Sequence, residues 1–345
     1  MQAVLLRGPR SVELVSLPEP EAAPGSVVVE IDRCGIGGSD LVAWITGELP
    51  GPAWFGHEWV GRVVALGDDV TGHFIGERVL GGVPAPCGRC RPCRAGLAEH
   101  CDLVLEMIVG VDPLASGHGA FAERLRVDAR RLVRAPEALD DATVALAEPA
   151  AVAAHAVGRH PVRLGDLAVV IGAGTIGMLV AEIVRASGAA GVVVIEPDPM
   201  RREIACDLGA DAAFAPGAGA WRWLAERSHG LGADLVYDCA GTADSLASTV
   251  DLVRRGGGVV VIGVGVGSHL PWTTKTHERE ITVRASLGYN IGDMRRVLDL
   301  MADDRLRLGS MIDPEPVPLD AVGPTLAEYE EAPLGRSKRL VAPNL

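Results

Sequence analysis

Short apolar or alternating segments recur through the first 150 residues of the chain. Gly, Pro and Asp interrupt them, as expected between successive strands. We interpret four of these segments as strands: Val12–Val15, Val27–Ile31, Val60–Leu66 and Arg78–Leu80. The pattern predicts a compact, barrel-like β domain with loops rather than a series of βαβ units.

Near residue 166 the pattern changes to apolar runs that alternate with helical periodicity. Helices are predicted over 176–184, Met200–Leu208 and Ser245–Val253, and Gly188 is expected to end the first of them. Buried strands are predicted at Leu167–Ile171, Val192–Ile195, Leu235–Tyr237 and Gly258–Ile262. This alternation predicts a parallel sheet covered by helices on both faces.

Two later regions are less regular. Gly256–Gly258 is interpreted as a tight turn into a strand. After about residue 280 one further helix is predicted, over 291–302, and the proline-containing tail is expected to return to the first domain.

Composition narrows the class of protein. The chain has 345 residues, 48% of them hydrophobic, which is enough for two domains. Its formal net charge of −13 disfavours nucleic acid and anionic membranes as partners, because no basic excess is available to neutralise phosphates. Without a signal peptide or spanning apolar run, we expect a cytoplasmic protein, whose seven cysteines serve metal binding or catalysis rather than disulfides.

A glycine-rich loop follows the predicted strand Leu167–Ile171. The pattern G-x-G-x-x-G between a strand and an amphipathic helix indicates dinucleotide binding. The first glycine makes the turn, the second lets the backbone approach the pyrophosphate, and the third lets the helix pack against the strand. The helix N-terminal amides then face the phosphate charge. The residues assigned to this loop are Gly172, Gly174, Thr175, Ile176 and Gly177.

Glu196 follows the next predicted strand. An acid at this place accepts hydrogen bonds from the adenosine ribose hydroxyls and repels a 2′-phosphate, so we predict NAD as the cofactor. NADP remains an alternative because Arg201 or Arg202 could reach a phosphate, and a solvated loop acid beside an ordinary turn is a third interpretation. We also assign Gly263 and Val264, which follow the last predicted strand, to the cofactor site.

One short segment carries four cysteines in the pattern C-x2-C-x2-C-x7-C, which suits tetrahedral zinc. Sulfur fills all four positions, so no position remains for water or substrate, and we predict a structural zinc. An iron–sulfur cluster and two disulfides are the alternatives. The proposed ligands are Cys87, Cys90, Cys93 and Cys101, whereas Cys206 and Cys239 are expected to be inert buried thiols.

Four further residues of types that bind metal ions lie far apart in the sequence: Cys34, His57, Glu58 and Glu148. Three of them have a simpler explanation: Cys34 as a buried thiol, His57 as a core histidine and Glu148 as an acid at a helix N-terminus. Spacing alone therefore leaves a shared metal site open.

Taken in order, these motifs resemble the zinc-containing medium-chain dehydrogenases, in particular the branch that holds sorbitol, threonine and butanediol dehydrogenases. The matching segments are C-G-I-x-G-S-D-L from residue 34, G-H-E at 56–58, the four-cysteine lobe, E-P-A-A-V-A-A-H-A-V from 148 and G-A-G-T-I-G from 172. The resemblance implies an α/β protein with a GroES-like β-barrel catalytic domain and a Rossmann doubly wound parallel-sheet domain. Residues 1–150, completed by 285–345, would form the first, and 151–284 the second. It also implies a homodimer or homotetramer.

The resemblance further implies that Cys34 and His57 bind a catalytic zinc. The remaining protein ligand would be an acid, either Glu58 or Glu148, and the two could exchange during turnover. An open position then remains for water or substrate. Ser39 is implied to hydrogen-bond the alcohol oxygen and to pass its proton on.

Two positions depart from the family pattern. Gly37 stands where relatives often carry a second cysteine, which is not normally a ligand. Val42 stands where many relatives carry a histidine that relays protons. The proton must therefore leave by another route, through ribose hydroxyls or directly through water.

Together these features predict an enzyme with two zinc ions per chain that transfers a hydride between an alcohol and NAD, giving a ketone or aldehyde. We expect a secondary alcohol, apolar or cyclic, because Trp44 and Trp54, with Phe55 and Met107, are bulky and apolar. A polyol, sugar or amino-alcohol remains an alternative, since core packing explains the aromatic residues equally well.

Rival functions come from other classes. They are a zinc-free quinone or enoyl reductase, a non-catalytic binding protein, and a lyase or isomerase that uses NAD internally. Two zinc ions per chain would argue against the first two, and a stable NADH product against the third.

Overall fold

The computed structural model describes residues 1–263, 274–331 and 338–345. Within these residues the strands pair into two six-stranded sheets and one two-stranded ribbon. In chain order the strands are β1 (Gln2–Gly8), β2 (Ser11–Ser16), β3 (Ser26–Gly35), β4 (Glu58–Leu66), β5 (Arg78–Gly81), β6 (Arg124–Asp128), β7 (Leu132–Arg134), β8 (Leu167–Ile171), β9 (Gly191–Ile195), β10 (Ala212–Phe214), β11 (Ala233–Asp238), β12 (Val253–Val261), β13 (Thr282–Ala285) and β14 (Leu340–Val341). The α-helices are α1 (Gly38–Thr46), α2 (Arg91–Arg94), α3 (Asp102–Ile108), α4 (Asp141–Ala145), α5 (Ala147–Arg159), α6 (Thr175–Ala186), α7 (Pro199–Asp207), α8 (Ala218–Arg227), α9 (Ala243–Leu252), α10 (Thr274–Glu278), α11 (Ile291–Ala302) and α12 (Val322–Glu331).

The antiparallel sheet is built around β3, whose valine and isoleucine side chains are buried. β3 pairs with β4, β6 and β14, and the sheet continues from β4 through β5 to β7. The β-rich character predicted for the first part of the chain is therefore confirmed. In the pairing of β14 with β3, Val341 lies opposite Cys34, so the end of the chain borders the predicted metal site.

The other sheet is parallel throughout and has the order β10-β9-β8-β11-β12-β13. Along β8, Val170 packs with the core that contains α5 and α6, whereas Val169 packs with residues of α8 and α9. Both faces are thus covered, which is why β8 reads as a continuous apolar run. Because the strand order reverses between β8 and β11, a crevice opens at their carboxyl ends, where such sheets bind ligands. The predicted doubly wound fold is confirmed.

The structure differs from the sequence expectations at several places, and the strands β1, β6, β7, β10 and β14 were among the elements not predicted. Gly256–Gly258 lies within β12, where the pairing jumps from Ala233–Val253 to Leu235–Gly258, so the glycines form a bulge instead of a turn before the strand. β13 was not predicted, because it is short and largely solvent-exposed. α5 crosses the boundary expected at residue 150. Among the described residues, no helix is long and apolar enough to span a membrane.

Candidate active site and metal centres

Three elements converge on the predicted catalytic site. Cys34 is near the end of β3, Glu58 begins β4 opposite Gly35, and Glu148 is in the first turn of α5. His57 precedes β4. One ligand atom each from His57, Glu58 and Glu148 lies within 4.8 Å of the others, so residues distant in sequence form a single cluster.

Cys34 does not belong to the 4.8 Å cluster, but it lies beside it. It is fully buried and pairs across the sheet with Trp59, the residue after Glu58. Burial, and then the carboxylates of Asp40 and Glu58, raise the pKa of its thiol well above the usual range. A divalent cation would offset this crowding of negative charge, because a bound metal stabilises the thiolate.

The contacts of His57 determine which of its ring nitrogens is free. Nδ1 lies 2.8 Å from the Trp54 carbonyl oxygen, which can only accept, so Nδ1 carries the hydrogen. Nε2 then keeps its lone pair for a metal, as is typical of ligating histidines. The indole of Trp54 stacks on the imidazole at a centroid separation of 5.2 Å and fixes the plane of the ring.

Glu58 is held by a buried ion pair with Lys338, which is 0% exposed. The Lys338 Nζ also donates to the Ile36 carbonyl at 2.9 Å. A Cβ at Gly35 or Gly37 would come within 2.3 or 2.8 Å of the Glu58 carboxylate, so only glycine leaves room for this side chain. The positive charge of Lys338 therefore compensates the negative charge of Glu58, one of the two candidate acids.

Glu148 has a different environment. Burial raises its pKa to about 7, although His57 lowers it. In the absence of a cation, Glu148 is thus poised between its protonated and ionised forms near neutral pH.

A small enclosed cavity of about 20 Å³ adjoins these groups, enough for roughly one water molecule. His57 and Glu148 line it together with Trp54, Met107, Ile108, Arg131 and Tyr289. Its lining thus contains both apolar and polar side chains.

Trp44 requires a correction, because it does not line this cavity. It is 7% exposed, packs in the core of the antiparallel sheet, and donates from Nε1 to Glu330 of α12 at 3.1 Å. Phe55 also belongs to this core. The core-packing explanation therefore holds for these two aromatic residues, whereas Trp54 is at the cavity.

Ser39 and Asp40 lie at the start of α1. Ser39 is half-buried. The Asp40 carboxylate accepts hydrogen bonds from the Gly37 and Gly56 amides and lies 4.0 Å from His57, so it ties the Cys34 segment to the His57 segment. Val42 is 53% exposed.

The second metal-ligand cluster comprises Cys87, Cys90, Cys93 and Cys101, whose sulfur atoms lie within 4.8 Å of one another. None forms a disulfide. The amides of Arg89 and Cys90 lower the pKa of Cys87 to about 6, whereas burial and the neighbouring thiols raise the pKa of Cys93 to about 12. Four thiolates this close would repel one another unless a cation lay between them. The set of four sulfur ligands suits tetrahedral zinc.

The other cysteines lie apart from both clusters. Cys206 is exposed on α7, so the prediction that it is buried was wrong. Cys239 is partly buried and lines the nucleotide groove described next.

A groove of about 900 Å³ lies at the carboxyl ends of β8, β9 and β11. Gly172 and Gly174 line it, and Gly172 adopts a φ of +94°, which favours glycine. A Cβ at Gly177 would come 1.8 Å from the Gly172 carbonyl oxygen, so the helix approaches the strand as the motif requires. Thr175 and Ile176 begin α6.

Glu196 and Arg201 line this groove, whereas Arg202 is not among its lining residues. The buried Glu196 carboxylate accepts from the Ala173 and Asp198 amides at 2.7 and 3.0 Å. Arg202 donates to the Glu196 and Pro197 carbonyls. Arg201 lines the groove, and its buried Nε has no hydrogen-bond partner in the described part of the chain.

The two residues assigned beyond β12 have separate outcomes. A Cβ at Gly263 would come 2.6 Å from the Gly241 amide, so Gly263 packs tightly against the loop after β11. Val264 lies outside the described residues.

Sequence reasoning missed Tyr289 and the ion-pairing role of Lys338. One signal for Lys338 existed: the chain contains only two lysines, so arginine fills nearly every other basic position. Nothing in the sequence pattern singled out Tyr289.

Known proteins resemble this chain over nearly its whole length. Two sequence families match it: "Alcohol dehydrogenase GroES-like domain" over residues 23–137 and "Zinc-binding dehydrogenase" over 175–303. A protein named "Probable D-xylulose reductase A" from Aspergillus terreus is 31% identical over 319 residues, 89% of each chain.

Solved structures agree with this resemblance. A zinc-binding dehydrogenase from Sinorhizobium meliloti bound to NADP superposes with a TM-score of 0.86 at 29% identity. 2R,3R-butanediol dehydrogenase from Bacillus subtilis superposes with a TM-score of 0.85 at 28% identity. In each comparison 99% of both chains is covered.

Proposed function

We propose that this chain, which belongs to the zinc-dependent medium-chain dehydrogenase family, transfers a hydride between an alcohol and a nicotinamide nucleotide. One observation carries the proposal. His57, Glu58 and Glu148 meet within 4.8 Å, beside the buried Cys34, in a chain whose parallel sheet also forms a dinucleotide groove.

We assign Cys34, His57 Nε2 and Glu148 as the protein ligands of the catalytic zinc. Lys338 forms a direct ion pair with Glu58, whereas no such ion pair with Glu148 is found among the described residues. Glu58 then remains a reserve ligand that could replace Glu148 during turnover. Zinc, when bound, supplies a Lewis acid that favours ionisation of the alcohol.

Ser39 is proposed to receive the alcohol's proton. Its place at the start of α1, next to the Asp40 that links the Cys34 and His57 segments, supports this role. Since Val42 replaces the relay histidine of many relatives and is exposed, we propose that the proton leaves through ribose hydroxyls or water.

We propose NAD as the preferred cofactor, bound by the glycine loop, Glu196 and Gly263. The Glu196 carboxylate is fixed by two backbone amides at the end of β9, where its charge would repel a 2′-phosphate. Arg201 favours NADP as the second candidate, because this cationic residue lines the groove.

The cofactor assignment can be tested with Glu196→Gln, which removes the charge and keeps an acceptor oxygen. The ratio of kcat/KM for NAD to that for NADP should fall by about tenfold or more, because like-charge repulsion is lost. Glu203→Gln, on an exposed part of α7, is the matched control and should leave the ratio unchanged. An unchanged ratio in Glu196→Gln would remove Glu196 from cofactor selection.

For the substrate, we propose a secondary alcohol with an apolar side. Trp54, Met107 and Ile108 form the apolar wall of the cavity and support this choice. Arg131 and Tyr289 in the same wall support a polyol, sugar or amino-alcohol as the alternative. The relatives named for D-xylulose and 2R,3R-butanediol also act on substrates with more than one oxygen.

Other parts of the assignment complete the proposal. We propose that the four-cysteine lobe binds a structural zinc. We also propose a catalytic domain formed by 1–150 and 285–345 around a nucleotide-binding domain at 151–284. We also propose a homodimer or homotetramer in the cytoplasm, on the basis of the family and the acidic composition of the chain.

The deciding experiment measures reduced-nicotinamide absorbance with NAD or NADP and a panel of alcohols, with zinc analysis on the same batch. We expect NADH to form with a subset of alcohols at two zinc ions per chain. Fully zinc-loaded protein that reduces neither cofactor, and oxidises none with ketones, would contradict the dehydrogenase assignment.

A further inference from the structure

Arg131 contributes a cationic side chain to the cavity beside the catalytic cluster. It immediately precedes β7, is 7% exposed, and lines the cavity together with His57 and Glu148. A buried charge is costly unless it is paired and hydrogen-bonded. The partners of Arg131 therefore determine whether its charge is available to a molecule in the cavity.

The protein pairs this guanidinium only in part. Nε of Arg131 donates to the neutral Gly82 carbonyl at 3.1 Å, and Nη1 donates to Oδ2 of Asp112 at 3.3 Å. The latter distance exceeds the roughly 2.7–2.9 Å of a strong charge-assisted hydrogen bond. In the described part of the chain, Nη2 donates no hydrogen bond, and Asp112 is the only acid within ion-pair distance of Arg131.

Asp112 does not serve Arg131 alone. Its Oδ1 accepts from the Leu114 amide at 2.9 Å, and its Oδ2 accepts from the Asp128 amide at 3.3 Å as well as from Arg131. Backbone amides thus stabilise this carboxylate independently of the guanidinium. Arg131 is left as a buried cation with a loosely held counter-charge and an unused donor, beside the cavity.

We propose that Arg131 is a specificity-determining residue, which makes the cavity bind an alcohol that also carries a carboxylate, so that the substrate is a short hydroxy acid. This inference rests on the proposed function, since it takes the cavity beside His57 to be the place where the alcohol binds. Under the proposed assignment Glu148 binds zinc, so its charge is offset and does not repel the carboxylate of the ligand.

The rest of the cavity defines the rest of the ligand. The empty space holds roughly one water molecule, so its lining groups lie close together and the carboxylate must be near the alcohol carbon. Trp54, Met107 and Ile108 offer apolar surface for a methyl or methylene group. An amine would be repelled by the guanidinium, which disfavours an amino-alcohol without an acid group.

The test compares lactate with lactamide, which has nearly the same shape and no charge. Calorimetry on zinc-loaded protein saturated with NADH measures both affinities, because neither compound can be oxidised when the cofactor is already reduced. We expect lactate to bind about tenfold or more tightly, since hydrogen bonds between charged groups are stronger than those to a neutral acceptor. Equal affinities would overturn the proposal.

Arg131→Gln removes the charge and should abolish the preference for lactate. Zinc remains in this variant, so a carboxylate that contacts only the metal would keep its preference. Arg130→Gln is the matched control, because Arg130 is the adjacent residue, is exposed, and pairs with Asp128. A preference retained in Arg131→Gln, or lost in Arg130→Gln, would overturn the proposal.

Asp112→Asn separates ligand binding from support of the surrounding loop. It removes the carboxylate that competes for Arg131 and leaves the guanidinium in place, so the preference for lactate should rise severalfold. If Arg131 only held the Asp112 segment in position, Asp112→Asn and Arg131→Gln would weaken the binding of both compounds alike. That result would overturn the proposal.

Turnover with NAD is recorded separately on the same proteins. Absent turnover in a protein that prefers lactate to lactamide through Arg131 would contradict the dehydrogenase assignment and support the role of Arg131. Oxidation of neutral alcohols by a protein with no preference for lactate would support the dehydrogenase assignment and overturn the role of Arg131.

Discussion

The four-cysteine lobe takes all its ligands from residues 87–101, whereas the catalytic cluster combines β3, β4 and α5 with a lysine near the end of the chain. The lobe contains one kind of donor, and its cysteines are partly to fully buried. The catalytic cluster, with the buried Cys34 beside it, offers sulfur, nitrogen and oxygen donors and includes a protein cation. Both have the donors for zinc, but they are assembled by different parts of the fold.

The difference shows what each arrangement can do. Four sulfurs leave no open position and need only a local loop, so the lobe can stabilise structure but not bind substrate. Lys338 compensates part of the negative charge around His57, and under the proposed assignment the two acids would serve as a ligand and a reserve ligand. We therefore expect catalysis to depend on the cluster that is assembled by the whole fold, and the local cluster to stabilise that fold.

The largest expected effect comes from Cys34→Ala. We expect kcat/KM to fall by about 1,000-fold or more, because several kcal/mol of metal-dependent stabilisation are lost. NAD binding, measured by calorimetry, should persist, since the nucleotide groove does not include Cys34. Retained turnover would remove Cys34 from the catalytic site.

The next largest effect is expected for Lys338→Met. The variant leaves the Glu58 carboxylate buried without its cation, which should lower the free energy of unfolding by about 3–5 kcal/mol. Lys275→Met is the control, because Lys275 is half-exposed and its ion pair with Asp251 is on the surface. Denaturant unfolding of both variants checks the prediction. If both variants had the same free energy of unfolding, the buried ion pair would contribute no more to stability than the surface pair does.

A smaller effect is expected for Cys90→Ala. The lobe takes its four cysteines from one short segment, so its loss should lower Tm by only about 5 °C while kcat/KM per folded molecule stays close to normal. Cys206→Ala removes an exposed thiol elsewhere and should leave Tm unchanged. A loss of turnover in Cys90→Ala as large as that in Cys34→Ala would abolish the distinction between the two clusters.

The same distinction explains what could be predicted from the sequence. The cysteine lobe and the glycine loop are continuous in sequence, so spacing alone indicated their chemistry. Four strands of the parallel sheet, β8, β9, β11 and β12, were predicted at least in part, because burial on both faces gives them apolar runs. β10 and β13 are short and less buried, and both were missed.

The catalytic cluster could be anticipated only through the family resemblance. Cys34 and Glu148 are far apart in sequence, and nothing in their spacing requires contact. The places of Lys338 beside Glu58 and of Tyr289 in the cavity lining follow only from the folded structure, in which β14 pairs with β3 and Tyr289 follows β13. Trp44 was misassigned because a buried aromatic in a core and one beside a substrate have the same local sequence pattern.

The position of Lys338 also has a consequence for biosynthesis. Translation proceeds at about 5–20 residues per second, and Glu58 is made long before its partner. Until β14 joins β3, the growing chain holds an acid without its counter-charge at the centre of the future site. We therefore expect a ribosome-released fragment that lacks the last strand to be unstable and readily degraded, so that chains reaching the mature pool are those translated through Lys338.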